Sequence, residues 1–302
     1  MLTVVATALR GFAMGSADVV PGVSGGTVAY ILGIYPRLLG AISGVGAGTL
    51  RLLYRGQWRT LWYRHDLGFL ITLGVGLFGA LLFFTRVVPI PQLLRDHPQP
   101  VYGLFFGLIV GSLLLLTREL GRHRGVDLLW MGLGTLVGLL LVNLVPLETP
   151  KTALFVFVSG AIAITAMILP GVSGSFILLI LHQYEHVFGA LGSFRLQVIG
   201  PFAAGCLVGV LLFSRLLGWL LSRFPRVTGL VINGLLLGSL WAVWPFQQRE
   251  YVLVREKLRP ISSQPAWPDT FDSDVLLTFA LLLAGLILVA VLGQVARVRS
   301  ES

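Results

Sequence analysis

The residues best suited to chemistry sit in two near-copies of one phrase, Pro21-Gly22-Val23-Ser24-Gly25-Gly26-Thr27 near the start and Pro170-Gly171-Val172-Ser173-Gly174-Ser175 in the second half. Proline ends a helix because it lacks an amide hydrogen and its ring clashes with the preceding turn. The glycines admit a tight turn, and serine is a favoured N-cap for a helix that resumes at about Thr27. The amides of Gly25, Gly26 and Thr27, with those of Ser173, Gly174 and Ser175 in the second copy, then lie at helix N-termini, where the dipole and unpaired N–H groups favour an anion. Asp18 lies three residues before Pro21. It suits either a proton-coupling carboxylate or the charge partner of an arginine, and Met167 stands at its matching position.

The surroundings of these phrases are those of a membrane protein. Charged residues make up 12% of the chain and hydrophobic ones 56%, against roughly 25% charged in soluble domains. Apolar runs approach the ~20 residues needed to cross hydrocarbon. They predict an all-α polytopic integral membrane protein, a single membrane domain over 1–302, with full spans at about 67–88, 101–117, 127–146, 197–221, 227–246 and 275–296. Two bipartite elements, 2–45 and 152–192, are each centred on one phrase, and the polar stretch 247–274 reads as an extramembrane loop. Arg10 sits inside the first apolar stretch rather than ahead of it, so that stretch reads as part of the fold and not as a cleaved signal. The lone Cys206 excludes an internal disulfide framework and a cysteine-rich metal site. The net charge of +9 resides in short loops between apolar spans, which fits topology and anionic lipid better than nucleic acid.

The two halves are related. At an offset of 149, Gly11, Ala17, Pro21 to Gly25, Ile31, Leu32, Tyr35, Gly40 and Ala41 match Gly160, Ala166, Pro170 to Gly174, Ile180, Leu181, Tyr184, Gly189 and Ala190. Further on, Leu82-Phe83-Phe84-Thr85-Arg86 resembles Leu211-Leu212-Phe213-Ser214-Arg215, and Gly107 with Gly111-Ser112 resembles Gly234 with Gly238-Ser239. A first repeat over 1–146 and a second over 150–302 each hold one broken element followed by three spans. The element is read as re-entrant, but whether it crosses zero times or twice, each half makes an odd number of crossings and the second copy must be inverted. Broken helices of inverted repeats meet near the midplane in many transporters. The two turns should therefore face each other.

Lysine and arginine in short loops are retained in the cytoplasm. Arg51, Arg55, Arg59 and Arg64, then Arg118, Arg122 and Arg124, then Arg223 and Arg226, and finally Arg297 and Arg299 all fall on one side. The opposite loops hold Arg95, Lys151, Arg195 and the mixed 247–274 segment. Both termini are expected in the cytoplasm.

Other residue patterns compete for a role. Arg86 and Arg215 are repeat partners near opposite membrane faces; arginine suits bidentate phosphate recognition, but near a helix end it also snorkels to headgroups. His182-Gln183-Tyr184-Glu185-His186 spells H-x-x-E-H, a zinc-peptidase pattern. Its repeat mates Arg37 and Pro36 have no metal chemistry, so His186 and Arg37 read as matched polar ends and no metal site is expected. Arg51, Arg55 and Arg59 form one helical stripe beside Tyr54, Trp58 and Trp62, suited to an interfacial segment or a topological anchor. Gly103, Gly107, Gly111, Gly134 and Gly138 read as helix-packing positions, and His65, His97 and His123 as solvated loop residues.

The paired phrases, the leading Gly11-Phe12-Ala13-Met14-Gly15-Ser16-Ala17-Asp18 and the continuation Thr27-Val28-Ala29 resemble the DUF368 family of bacterial inner-membrane proteins. The resemblance spans nearly the whole chain and implies transport of a polyprenyl phosphate: undecaprenyl phosphate, the lipid carrier of envelope polysaccharide synthesis, returned to the cytoplasmic leaflet. On that reading the motif residues Asp18, Pro21 to Thr27 and Pro170 to Ser175 carry over. Ser24, Gly25, Gly26, Thr27, Ser173, Gly174 and Ser175 would hold the phosphate, with Arg86, Arg215 and Arg37 as further candidates. Pro21, Gly22, Pro170 and Gly171 would shape the turns, and Asp18 is the candidate for proton coupling, with sodium the other candidate ion. The second copy departs by ending Ser-Phe rather than Gly-Thr. No cofactor and no enzymatic step is expected. The competing readings are a secondary transporter of a small soluble anion or other solute, which would need a sealed polar cavity, and a membrane enzyme acting on lipid phosphates, which would need a nucleophile or acid–base pair beyond Ser24, Ser173 and Asp18.

Overall fold

In hydrocarbon every backbone polar group must find its partner within the protein, so apolar runs of this length fold as helices. A computed structural model describes residues 2–18, 24–88, 93, 96–121, 125–144, 149–254, 257–268 and 270–301. The first broken element is α1 (Leu2–Asp18), α2 (Gly25–Ile31) and α3 (Tyr35–Ser43). Two short helices, α4 (Ala47–Tyr54) and α5 (Trp58–Arg64), lead to α6 (Leu67–Arg86), α7 (Pro98–Glu119) and α8 (Gly125–Val142). The second broken element is α9 (Ala153–Ile168), α10 (Gly174–Ile180) and α11 (Tyr184–Gly192), followed by α12 (Leu196–Arg223) and α13 (Pro225–Val243). A hairpin of β1 (Gln247–Val254) and β2 (Lys257–Pro265) then precedes α14 (Ser273–Glu301).

Among the described residues six helices, α6, α7, α8, α12, α13 and α14, are long and apolar enough to cross a membrane. They coincide with the expected spans within a few residues. The pair α2–α3 is bent by 117° at a turn where Gly33 takes φ +67. Ala17 shares one apolar cluster with Val28, and Met14 shares another with Ala29, so α2 packs back along α1.

Helices associate in pairs: α1 with α6, α9 with α12, α8 with α13 and α7 with α14. Glycine permits backbone contact at each seam. Gly11 lies on the carbonyl of Leu73 and Gly160 on that of Phe202; Gly76 lies on Ala8 and Gly205 on Phe157. In the other pairs Gly107 abuts Leu282 as Gly234 abuts Met131, and Gly134 abuts Val231 as Gly285 abuts Leu104. A Cβ at any of these positions would collide with backbone oxygen.

Three expectations require correction. The 247–274 stretch is not simply a loop, because its β-favouring run Tyr251 to Val254 pairs antiparallel with the segment from Lys257, with a bulge at Glu250/Tyr251. The arginine stripe is not one helix: Gly56 at φ +66 separates α4 from α5. His65 is not solvated; it is 1% exposed, with Nε2 2.9 Å from Thr49 Oγ1 and Nδ1 3.4 Å from the Ala41 carbonyl. In H-x-x-E-H, His182 occupies the left-handed turn between α10 and α11 at φ 48, the position matching Gly33, so it does not share a helix with His186. His123 lies outside the described residues.

Candidate substrate site

The site begins with what Pro170 does to α9. Proline cannot donate an amide hydrogen, so the helix ends at Ile168 and its last carbonyls lose their helical partners. Two of them are taken up by the first half. Ser24 Oγ donates to the Met167 carbonyl at 3.1 Å, and Tyr35 Oη donates to the Ile168 carbonyl at 2.9 Å. Gly26 must be glycine here, because a Cβ would stand 2.8 Å from the Met167 oxygen and 2.7 Å from that of Ile168.

The reverse contact comes from the second turn. Gly171, at φ +88, donates its amide to Thr27 Oγ1 at 2.8 Å. A Cβ on Gly171 would also come within 3.0 Å of the Leu235 carbonyl in α13. The two turns are thus bound to each other by side chains of one and backbone of the other. Pro170 is buried, while Pro21 and Gly22 lie outside the described residues.

Ser24 is the N-cap of α2, its side chain accepting from the Gly26 amide at 3.1 Å. The Thr27 amide bonds the Ser24 carbonyl at 2.9 Å. The Gly25 amide donates to Asp18 Oδ1 at 2.7 Å. The anion at this helix start is therefore the chain's own carboxylate. Sequence reasoning expected these amides to be open to a ligand; in this conformation all three are used internally.

Asp18, Ser24, Ser173 and Gly174 line one cavity of 270 Å³. Its remaining wall is apolar, built from Ala163, Ile164, Met167, Leu178, Val187, Phe188 and Phe202 with Cys206. Phe188 is 48% exposed and Met167 37%, so the cavity reaches the apolar outer surface of the helix bundle. Ser175 opens α10, and its side chain lies outside the described residues, as does that of Arg86 at the end of α6.

The two other expected arginines do not line the cavity. Arg37 bonds Asp66 at 2.6 Å and lies 4.3 Å over the ring of Phe69. Arg215 Nε donates to the Ser43 carbonyl at 3.1 Å and its Nη2 to the Val45 carbonyl. Among the described residues no group of three His, Cys, Asp or Glu side chains could hold a metal ion.

Three features escaped the sequence reading. The carbonyls of Met167 and Ile168 are backbone groups whose release from the helix ladder, and hence their bonds to Ser24 and Tyr35, follows only from the break at Pro170. The sequence points to the amide of Thr27, yet it is its hydroxyl that reaches the second turn. Asn233, a lone carboxamide in the apolar 227–246 run, is 1% exposed, and among the described residues neither amide atom has a partner; its polarity inside a span was the available signal.

Broken helices meeting across a fold of paired apolar helices, around a cavity lined by Asp18, Ser24 and Ser173 together with apolar side chains, define a polytopic helical membrane protein of transporter type. The chain belongs to the family described as VCA0040-like, undecaprenyl phosphate translocase-like, whose model matches residues 14–259. It is 40% identical over 299 residues to a polyprenyl-phosphate transporter of Vibrio cholerae serotype O1, covering 94% of each chain. A polyprenyl-phosphate transporter of Staphylococcus aureus is 31% identical over 255 residues, 78% of this chain and 85% of that protein. No solved structure gives a significant match.

Proposed function

We propose that this protein moves a polyprenyl phosphate such as undecaprenyl phosphate across the bacterial inner membrane, returning the carrier lipid to the cytoplasmic leaflet. The observation that carries this reading is the make-up of the cavity wall: Asp18, Ser24, Ser173 and Gly174 of the two broken elements share it with apolar side chains, of which Met167 and Phe188 are exposed on the bundle's surface. A phosphate fits between the turns while its prenyl chain stays in hydrocarbon. A small soluble anion gains nothing from an apolar wall with a lateral opening. An enzymatic role is disfavoured because the Ser24 hydroxyl donates to a backbone carbonyl rather than to a base.

The fold is read as two inverted repeats with re-entrant elements. Supporting this, the close contacts of Gly11, Gly76, Gly107 and Gly134 have mates at the matching positions Gly160, Gly205, Gly234 and Gly285. With the arginine-rich segments on the inside, both termini are cytoplasmic.

Asp18 supplies the coupling. Its carboxylate holds the Gly25 amide, the same kind of donor a phosphate needs, and two anions side by side in a low dielectric repel strongly. Phosphate binding therefore accompanies neutralisation of Asp18, by a proton in the first instance and sodium in the second. The released Gly25 amide, with Ser24 and with Ser173, Gly174 and Ser175, then forms the headgroup site, while Gly26 and Thr27 shape the turn through their bonds to Ser24. At the outer end Lys151 and Arg195 lie within electrostatic reach of His186, a cationic approach for a headgroup.

Reconstitution into liposomes with a leaflet-specific probe of undecaprenyl phosphate tests the reading. Protein-dependent exchange, accelerated by a proton gradient and not seen for the neutral prenol, is the expected result. Equal rates with and without protein would overturn it.

A further inference from the structure

The two halves of the fold are in different states. Apart from Asp18 and Ser24 the cavity is lined by the second half, including Ala163, Leu178, Val187, Phe188 and Phe202. Their mates in the first half are Met14, Ala29, Leu38, Leu39 and Leu73. These are packed together in one apolar cluster with Tyr35, Phe69 and Leu217. Where one half is open, its counterpart is filled.

Helix packing carries the same asymmetry. α3 packs on α12, whereas among the described residues α11 has no comparable packing on α6. The α3–α12 contact is fastened by Arg215, whose guanidinium reaches the carbonyls of Ser43 and Val45 at and just beyond the end of α3. Carbonyls at a helix C-terminus are unpartnered and carry partial negative charge, so a guanidinium is a natural cap. Arg215 is more than a snorkelling charge here, because it joins two elements from different halves.

The matching positions define the other state. Arg86 corresponds to Arg215, and Gly192 and Phe194 correspond to Ser43 and Val45. We propose that Arg215 and Arg86 are alternating gate residues. Arg215 holds α3 on α12 in the state seen here. In the opposite state Arg86 clasps the carbonyls of Gly192 and Phe194, α11 closes on α6, and the Met14–Leu39–Leu73 cluster opens into the mirror cavity. The inference rests on the inverted-repeat reading. With the sidedness proposed above, the packed half faces the cytoplasm and this is the outward-open state.

Cysteine accessibility tests the gate without any lipid substrate, so it can fail while lipid exchange holds, and the reverse. In a Cys206→Ser background, Leu39→Cys reports the closed half and Phe188→Cys the open one, read by a water-soluble maleimide in detergent. Adding Arg215→Gln is expected to raise labelling of Leu39→Cys about threefold or more and to lower that of Phe188→Cys, as a shifted two-state equilibrium requires. Arg86→Gln shifts both in the opposite sense, and Arg215→Lys, which keeps a donor, restores the wild-type pattern. Unfolding would raise labelling at both sites, and in that event the Arg86→Gln arm decides. Unchanged labelling in both glutamine variants, or shifts of the same sign in both, overturns the proposal.

Discussion

Thr27 and Ser24 hold the two turns together, and each does so with a single hydroxyl. Thr27→Val keeps the shape and removes the acceptor for the Gly171 amide. A buried donor left unpaired costs about 1–3 kcal/mol, so the melting temperature in detergent should fall while secondary structure persists. Asn233→Leu should do the opposite, because it removes a carboxamide whose two atoms have no partner. Thermal unfolding of both variants checks the pair of signs. Asp18→Asn retains an oxygen to accept from Gly25 but cannot ionise. Its lipid exchange should lose the response to a proton gradient, and a retained response in liposomes would remove Asp18 from the coupling. Ser24 was legible as a cap from its neighbours in the chain, since capping is local. Its bond to Met167 joins residues far apart in sequence, and no spacing rule could reveal it.

Among the elements, the helix seams make the sharpest demands. Gly205 of α12 rests on the Phe157 carbonyl of α9, and Gly76 of α6 on the Ala8 carbonyl of α1. Alanine at either site must push two backbones apart, at a cost of roughly 1–3 kcal/mol, and leucine should prevent the pair from seating. Comparable losses of thermal stability at the two sites are expected; a loss at one alone would argue that the pairs are not equivalent. At the membrane edge, His97 Nδ1 lies 2.9 Å from Asp274 Oδ2, tying the start of α7 to the start of α14. The carboxylate raises the imidazole pKa above its ordinary 6.5. A raised folded-state value means the tie is fully present below pH 6.5 and is lost as pH rises through the folded value. Both groups are exposed, so the effect is small and screened by salt. Melting curves of wild type and His97→Ala should differ more in the acid range and converge in alkali.

On the scale of the whole molecule, six spans and two broken elements were legible because hydropathy and helix-breaking residues are local signals. The short-range breaks were not. Gly56 divides the Arg51–Arg64 segment, and His182 takes the left-handed conformation that its partner position gives to glycine. His65 looked like a loop residue because its burial depends on α3 and α4 folding over it. Most consequential was the fate of the amides at Gly25 to Thr27. Their position at a helix start could be read from the phrase, but their occupation by Asp18 and Ser24 could not. On the function proposed above, loading an anion at the Gly25 amide requires displacing the Asp18 carboxylate.

On the proposed function the lipid phosphate is held between the two serine-glycine turns. A polyprenyl phosphate analogue with a photoreactive group beside its headgroup, reconstituted with the protein and irradiated, tests it directly. Crosslinked peptides should contain Ser24 or Ser173, and excess undecaprenyl phosphate but not undecaprenol should suppress them. Crosslinks confined to peptides away from both turns, such as the Arg51–Arg64 segment, would place the headgroup elsewhere and overturn this site.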